Sequence, residues 1–210
     1  MTRKPDIFYI GYMKAASTFV RTYLDYHPQV IWDRKAFHYL ESNEESELIA
    51  SDFLRTVYVT MFEGLCLSII PEDGRDFWSG IAFQPIHWHR MRSRVLFDPR
   101  RMALSIKQRF PKTRILIVIR NQLDWIQSSY VHLQLRLPKP KRSFEDFCAT
   151  GHGLAVLEAA FYDATIAAYF DVFGPEKVKV LIVEKLRNET DAFLRELCGF
   201  LGVDFLPFEN

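Results

Sequence analysis

The sequence of 210 residues has few cysteines and no strong excess of charge of either sign. Its three cysteines, Cys66, Cys148 and Cys198, lie far apart without a CxxC pair, which argues against a disulfide framework or a zinc site. The 27 basic and 26 acidic residues leave a net charge of +1, whereas a protein that coats nucleic acid carries a marked basic excess. We therefore expect no nucleic-acid partner.

Long hydrophobic runs are also missing. No apolar stretch reaches the roughly 18 residues that a membrane-spanning helix needs. The charged start of the chain leads directly into a strand-like run at Ile7, without the apolar segment of a signal peptide. We therefore expect a cytoplasmic protein without a membrane span, and its length fits a single domain over residues 1–210.

Strand-like and helix-like segments alternate along the chain, which predicts an α/β fold of three layers. In such a fold helices flank a central, mainly parallel, doubly wound sheet. The run at 114–119 is apolar without alternation, which is typical of a central strand that is covered on both faces. We predict strands at 7–10, 66–70, 114–119 and 178–183, the last of these central, and helices at 17–26, 44–62, 99–110, 123–133, 154–173 and 190–201.

The loop at 11–18 (GYMKAAST) follows the first predicted strand and directly precedes the first predicted helix. Backbone N–H groups and the positive end of a helix dipole favour anions at such a junction. Lys14 adds a charge, and Ser17 and Thr18 add hydroxyl groups, so the loop is a candidate cradle for phosphate or sulfate. The alternative is a plain strand–helix turn with Ser17 as the N-cap. The loop is not a GxxxxGK[ST] motif, which disfavours an ordinary ATPase or GTPase.

A second candidate anion site follows the strand at 114–119. Arg120 comes directly after that strand, and Ser128 lies eight residues further on, in the next predicted helix. Ligands of open α/β sheets bind at the carboxyl ends of strands, and a guanidinium is suited to phosphate. Two anion sites at one sheet edge predict a ligand with two separated anionic groups.

These elements together resemble those of sulfotransferases that use 3′-phosphoadenylyl sulfate (PAPS). The loop at 11–18 is similar to the 5′-phosphosulfate loop of that family, and 114–130 (RILIVIRNQLDWIQSSY) to its 3′-phosphate element. The stretch 178–203 resembles the closing strand and helix, with an acidic-x-Leu turn at Glu184 and Leu186. The resemblance covers most of the chain and implies a sulfotransferase fold related to P-loop NTPases.

The resemblance also implies the ligand and the residues that hold it. PAPS is the expected donor, adenosine 3′,5′-bisphosphate the expected product, and no metal is required because cationic side chains and N–H groups supply the positive charge. Lys14 is expected to be catalytic as well, by countering charge on the bridging oxygen as the sulfuryl group leaves. The expected cofactor-binding residues are Lys14, Ala15, Ala16, Ser17, Thr18, Arg120 and Ser128.

The sequence departs from the family pattern in the loop at 11–18 and at the position of the general base. Ala15 and Ala16 stand where the family commonly has Gly or Ser followed by Gly, and alanine does not readily adopt a positive φ. Many carbohydrate-type members carry Lys-Glu after the first helix; here Lys35 matches, but Ala36 replaces the glutamate. We name Lys35 as a further catalytic candidate and His38 as the candidate base, which must reach the acceptor group. Asp33 and Glu41 are nearby alternatives for the base, and His87 and His89 are more distant in sequence.

A third departure concerns the basic, Gly-containing loop that covers the cofactor in the family, for which residues 1–210 contain no counterpart after the last predicted helix. The expected reaction transfers a sulfuryl group from PAPS to a hydroxyl or amine of a saccharide or small metabolite. Two alternatives stay open. One is a P-loop-type nucleotide or small-molecule kinase, which would need a Mg²⁺-binding carboxylate at a strand end. The other is a catalytically impaired nucleotide-binding module.

Overall fold

The fold is built on a parallel sheet of five strands. The structure, a computed structural model, describes residues 6–12, 14–33, 57–63, 67–70, 94–97, 99–136 and 142–208. The strands are β1 (Ile7–Gly11), β2 (Val30–Asp33), β3 (Val57–Glu63), β4 (Leu67–Ile70), β5 (Arg94–Phe97), β6 (Arg114–Ile119) and β7 (Val178–Ile182). Five of them form one sheet in the order β2-β3-β1-β6-β7, and every neighbouring pair is parallel.

Helices connect these strands, which confirms the predicted α/β architecture. None of the helices in the described ranges is long and apolar enough to cross a bilayer. They are α1 (Ser17–Tyr26), α2 (Pro99–Arg109), α3 (Gln122–Arg136), α4 (Phe144–Cys148), α5 (Gly151–Ala159), α6 (Tyr162–Phe173), α7 (Val183–Asn188) and α8 (Thr190–Leu201), with one 3₁₀ turn at Pro175–Lys177.

Strands β1 and β6 lie side by side in the middle of the sheet. Every residue of β1 is buried, and so are the four central residues of β6, from Ile115 to Val118. Unbroken apolar runs suit this position because both faces of a central parallel strand are covered. The two strands pair from Ile7 with Arg114 to Gly11 with Val118, so they end at the same edge of the sheet.

The helix predicted at 44–62 is wrong in its last part. Residues Val57–Glu63 form β3, which pairs in parallel with β1 and with β2. The segment is rich in β-branched and aromatic residues, which favour a strand, and its apolar residues also fit a helical spacing. The strands β1 and β2 pair with this segment on its two sides, and this pairing stabilises the strand rather than the helix. Residues 44–56 lie outside the described residues.

The single helix predicted at 154–173 is also wrong, because two helices occupy this segment. The break falls at Phe161, whose ψ of 74° is not helical. It leaves Phe161 exposed and turns Tyr162 into the core. The carbonyl of Ala160, which an unbroken helix would use internally, accepts a hydrogen bond from the Gln122 side chain at 2.7 Å. A contact between distant segments therefore stabilises a break that the sequence does not mark with Gly or Pro.

Two of the predicted strands do not have the neighbouring strands expected of them in a central parallel sheet. The strand predicted at 66–70 is β4, which pairs antiparallel with β5 in a separate sheet of two strands. The strand predicted as the last central one is β7, which pairs only with β6 in the described part of the chain. It therefore lies at the sheet edge, and this explains why residues such as Ile182 are exposed.

The segment after α8 fixes the far end of α1. Helix α8 ends as predicted at Gly202, whose φ of 75° gives the left-handed conformation that glycine adopts without strain. The following residues then run past α1. The Tyr23 hydroxyl donates to the carbonyl of Leu206 at 2.9 Å, and the buried His27 ring lies 2.9 Å from the carbonyl oxygen of Asp204. These contacts hold the helix whose first turn belongs to the candidate site.

Candidate active site

The order of the strands creates a binding edge between β1 and β6. The chain leaves β1 toward β2 and β3 on one side, and β6 and β7 lie on the other side. Open α/β sheets bind ligands at such a switch point, outside the carboxyl ends of the strands. The loop that leaves β1 carries Lys14, and the turn that leaves β6 carries Arg120. The two predicted anion sites are therefore neighbours.

The loop after β1 holds two non-glycine residues in the left-handed region. The N–H of Ala15 bonds the carbonyl of Tyr12 at 3.1 Å, which closes a turn with Lys14 at its third position. Lys14 has a φ of 65° and Ala16 a φ of 55°, and no other non-glycine residue in the described ranges has a positive φ. Each such residue costs about 1 kcal/mol or more, and backbone strain of this kind is concentrated at functional sites. Ala16, which stands where the resemblance implies glycine, thus adopts a backbone conformation that glycine reaches without strain.

Helix α1 begins directly after this loop and has no side-chain cap. Its N-cap is Ala16, which carries no hydrogen-bonding side chain, and Ser17 is the first helical residue. The alternative in which Ser17 caps the helix is therefore wrong. Ser17 is buried and Thr18 is exposed. A helix that begins without a side-chain cap keeps N–H groups of its first turn available for an anion.

Arg120 lies against the loop that carries Lys14. Its Nη1 donates to the carbonyl oxygen of Lys14 at 3.3 Å, a long hydrogen bond. Its Nη2 is 3.6 Å from the Asp124 carboxylate, one helical turn further on. The Nε atom of Arg120 is buried and has no hydrogen-bond partner among the described residues. Because buried donors normally have partners, an unpaired guanidinium N–H is consistent with a site for an anionic ligand.

A carboxylate at the end of β7 holds the turn that follows β6. Glu184 accepts a hydrogen bond from the backbone N–H of Asn121 at 3.0 Å. The Asn121 side chain in turn accepts from the N–H groups of Leu123 and Asp124, at 3.1 and 3.2 Å, and so caps α3. Arg120 is thus the residue between a buried strand and a capped helix, and its backbone position is fixed from both sides.

The aromatic rings of Tyr12, Trp125 and Tyr162 pack together next to the segments that carry Lys14 and Arg120. Tyr12 packs edge-on against Trp125 and Tyr162, with ring centroids 5.6 and 5.0 Å apart. Its hydroxyl donates to the hydroxyl of Thr165 at 3.0 Å in the core. Burial raises the pKa of the Tyr162 phenol well above its ordinary range, and the charge of Glu184 adds to this, whereas Arg120 opposes it. Tyr162 is therefore neutral at physiological pH.

The remaining residues predicted for the site are Ser128, Lys35 and His38. Ser128 is half-buried on α3, and its part in binding stays a prediction. Lys35 and His38, the two further catalytic candidates, lie outside the described residues, as does Ala36. Within the described ranges no cluster of three or more His, Cys, Asp or Glu side chains is arranged to hold a metal ion.

Comparison with known proteins assigns the family. Residues 4–209 match the family model described as "Sulfotransferase domain". The chain belongs to this sulfotransferase family. Its sequence thus carries a family signature over nearly its whole length, whereas no curated protein matches it.

Solved structures share the fold of this sulfotransferase domain at low identity. A sulfotransferase from Alicyclobacillus acidocaldarius is 20% identical with a TM-score of 0.65, and the match covers 99% of this chain and 85% of that one. The sulfotransferase domain of the Synechococcus PCC 7002 olefin synthase is 16% identical, with a TM-score of 0.53 and coverage of 98% and 75%. A mouse sulfotransferase complexed with PAP is 14% identical, with a TM-score of 0.50 and coverage of 98% and 61%.

Sequence reasoning missed several residues of the sulfotransferase site. Asn121 could have been found, because Asn directly before a helical segment is a preferred N-cap. Glu184 could have been recognised as a carboxylate that follows a parallel strand at the ligand-binding edge. No sequence signal distinguishes Tyr12 or Tyr162 from any other core aromatic residue, since only the packing of α6 against the loop brings them together.

Proposed function

We propose that this protein transfers a sulfuryl group from PAPS to a hydroxyl or amine of a saccharide or small metabolite, and releases adenosine 3′,5′-bisphosphate. The observation that carries the proposal is the direct contact between the Arg120 guanidinium and the loop of Lys14. It brings two cationic residues from separate strand ends to one edge. PAPS is a ligand with two separated anionic groups, and such a ligand matches two cationic centres at neighbouring strand ends.

The 5′-phosphosulfate half of the donor is assigned to the loop after β1. Lys14 is exposed, so its ammonium group can move to the ligand. The uncapped first turn of α1 offers backbone N–H groups, and the exposed Thr18 offers a hydroxyl. Ala15 and Ala16 contribute backbone, and Ser17 is buried. The backbone donors of the loop and first turn are fixed before binding, which is the condition for electrostatic catalysis.

The 3′-phosphate half is assigned to the start of α3. Arg120 offers its guanidinium, whose Nε has no partner among the described residues, and Ser128 offers a hydroxyl on the same helix. A planar guanidinium can bind two phosphate oxygens at once, so Arg120 would also set the orientation of the nucleotide. Asp124 lies beside Arg120 and holds the guanidinium near this position before the ligand arrives.

The reaction needs one bond to form and one to break. The acceptor oxygen or nitrogen bonds to sulfur, the bond between sulfur and the bridging oxygen breaks, and the electron pair stays on the 5′-phosphate. Lys14 is assigned to stabilise that developing negative charge. The charge is larger in the transition state than in the ground state, so this interaction lowers the barrier. The acceptor proton passes to a base, for which His38 is the candidate from the sequence.

The binding half of the proposal is tested by thermal shift. Adenosine 3′,5′-bisphosphate is expected to raise the melting temperature of the wild-type protein, because a ligand that binds only the folded state stabilises it. Lys14→Ala and Arg120→Ala are expected to abolish most of this shift. Lys112→Ala and Arg100→Ala, at exposed positions away from this edge, are matched controls that should retain it. Stabilisation by ATP with Mg²⁺ alone would contradict the proposal and favour the kinase alternative.

The transfer half needs an assay of turnover. The wild-type protein is incubated with PAPS and a panel of hydroxylated and amine acceptors, and adenosine 3′,5′-bisphosphate is measured. Product formed only with an acceptor present, and lost in Lys14→Ala, supports the proposal. Tight binding of the bisphosphate without turnover on any acceptor class would instead identify a nucleotide-binding module.

A further inference from the structure

We propose that Glu184 is a positioning residue for the 3′-phosphate half of the site, which it serves by fixing the turn that carries Arg120. This inference rests on the proposed function and assigns to one carboxylate a part in nucleotide recognition. Glu184 belongs to α7, immediately after β7, and its carboxylate contacts the backbone that follows the neighbouring strand. Its effect on binding is therefore indirect.

The first observation is the hydrogen bond from the Asn121 backbone N–H to Glu184 at 3.0 Å. Register explains why the contact forms, because Ile119 of β6 pairs with Ile182 of β7, and the two chains leave the sheet side by side. Asn121 is in the turn between β6 and α3, where no strand partner remains for its N–H. The Glu184 carboxylate, a charged acceptor, replaces the strand-to-strand hydrogen bond that this N–H would make inside a sheet, and a bond to a charged group is stronger.

The second observation is that the other hydrogen bonds of Asn121 among the described residues run to α3 and not to the sheet. The Asn121 side chain points toward α3 and caps it, so it ties the turn to the helix but not to the sheet. Within the described ranges the Arg120 guanidinium is held by the long bond to the Lys14 carbonyl and by Asp124. Glu184 is therefore the link that ties the backbone beside Arg120 to the end of β7.

The third observation is that Glu184 and Arg120 each keep a buried polar atom unpaired. The Oε2 of Glu184 and the Nε of Arg120 are buried, and neither has a hydrogen-bond partner among the described residues. The Tyr162 hydroxyl lies against the Arg120 backbone, and the charges of Glu184 and Arg120 both act on it. Leaving such groups unpaired costs free energy, which a purely structural contact would not require.

The location of Glu184 predicts a selective effect. The loop of Lys14 is closed by its own turn between Tyr12 and Ala15 and does not contact Glu184 in the bonds described above. Loss of Glu184 should therefore loosen the Arg120 turn and leave the 5′ half of the site intact. A residue needed only for folding would weaken binding of every nucleotide to the same extent.

The test compares two nucleotides that differ in the 3′-phosphate. Binding of adenosine 3′,5′-bisphosphate and of adenosine 5′-phosphosulfate is measured by calorimetry for the wild type, Glu184→Ala, Glu184→Gln and the exposed control Glu158→Ala. Glu184→Ala is expected to weaken the bisphosphate about 10-fold and the phosphosulfate less than about 2-fold. Glu184→Gln keeps an acceptor for the Asn121 N–H and should restore most of the affinity. Equal losses for both nucleotides, or no loss, would overturn the inference.

Hydrogen exchange separates this inference from the proposed function. In the protein without ligand, Glu184→Ala should speed amide exchange in a peptide covering 119–125 about 10-fold, with β1 unchanged. Unchanged exchange at 119–125 would overturn the positioning role whatever the nucleotides do. If the wild type binds neither nucleotide, the proposed function fails, and faster exchange at 119–125 would still show that Glu184 orders the turn.

Discussion

The Arg120 guanidinium lies 3.3 Å from the carbonyl oxygen of Lys14, although 106 positions separate the two residues in the chain. The contact exists because β1 and β6 are adjacent parallel strands that end together. It joins the two predicted anion sites into one. The sheet thus sets the separation between the two halves of the candidate site.

The shape of the guanidinium should matter as well as its charge. Arg120→Lys keeps the positive charge but loses the planar group that can bind both phosphate and the Lys14 carbonyl. We expect the affinity for adenosine 3′,5′-bisphosphate to fall about 10-fold or more by calorimetry, which corresponds to about 1.4 kcal/mol. Arg100→Lys, at an exposed ion pair with Asp171, is the control and should change little. If Arg120→Lys and the wild type bind the bisphosphate with equal affinity, Arg120 is not part of the site.

The two alanines of the strained loop should respond differently to replacement by glycine. Ala16 has a φ of 55°, so Ala16→Gly relieves strain while adding chain entropy to the unfolded state. The free energy of unfolding is expected to stay level or rise by up to about 1 kcal/mol in urea titrations. Ala15→Gly is the control, because Ala15 is buried and has no positive φ, and it should lower stability. If Ala16→Gly is the more destabilising of the two, the loop does not have this conformation.

Two buried tyrosines should respond in opposite ways to loss of the hydroxyl. Tyr12→Phe removes a buried bond and leaves Thr165 without that partner, so stability should fall by about 1–2 kcal/mol. Tyr162→Phe removes a hydroxyl that lies loosely against the Arg120 backbone and forms no well-aligned hydrogen bond among the described residues, so stability should be unchanged or slightly higher. Chemical denaturation of both variants measures the difference. A larger loss for Tyr162→Phe would mean that its hydroxyl is bonded in solution.

A surface carboxylate should contribute stability that depends on pH. A hydrogen bond from Lys185, and then one from Lys179, lowers the pKa of Glu196 below its ordinary value. A lowered pKa in the folded state adds stability above the unfolded pKa, and this is lost as the pH falls through the folded value. Glu196→Gln should therefore cost less than about 1 kcal/mol at pH 7, because solvent screens the pair. The cost should shrink as the pH falls below the ordinary glutamate pKa and vanish once the pH is below the lowered folded-state pKa.

The control for this prediction is Glu158→Gln, an exposed carboxylate on α5. Its stability at pH 7 should match that of the wild type. High salt should shrink the effect of Glu196→Gln at pH 7, since screening weakens exposed ion pairs. A cost for Glu196→Gln that persists at pH 3 would mean that packing, and not charge, is responsible.

Local sequence determined those parts of the protein in which one segment carries its own signals. The buried runs of β1 and β6 are apolar throughout, and α1 and α8 end at His27-Pro28 and Gly202, where proline and glycine stop a helix. Lys14 and Arg120 were identified because each directly follows such a strand. The resemblance to sulfotransferases rested on the same segments, and the family match confirms it.

Tertiary structure alone decided what depends on partners distant in sequence. Val57–Glu63 is a strand because β1 and β2 pair with it, and the helix predicted across it had no such partners. The break at Phe161 depends on Gln122, and the support of the Arg120 turn depends on Glu184. Hydrogen bonds of this kind form only when strands from separate parts of the chain end at one edge, so periodicity and propensity along a single segment contain no trace of them.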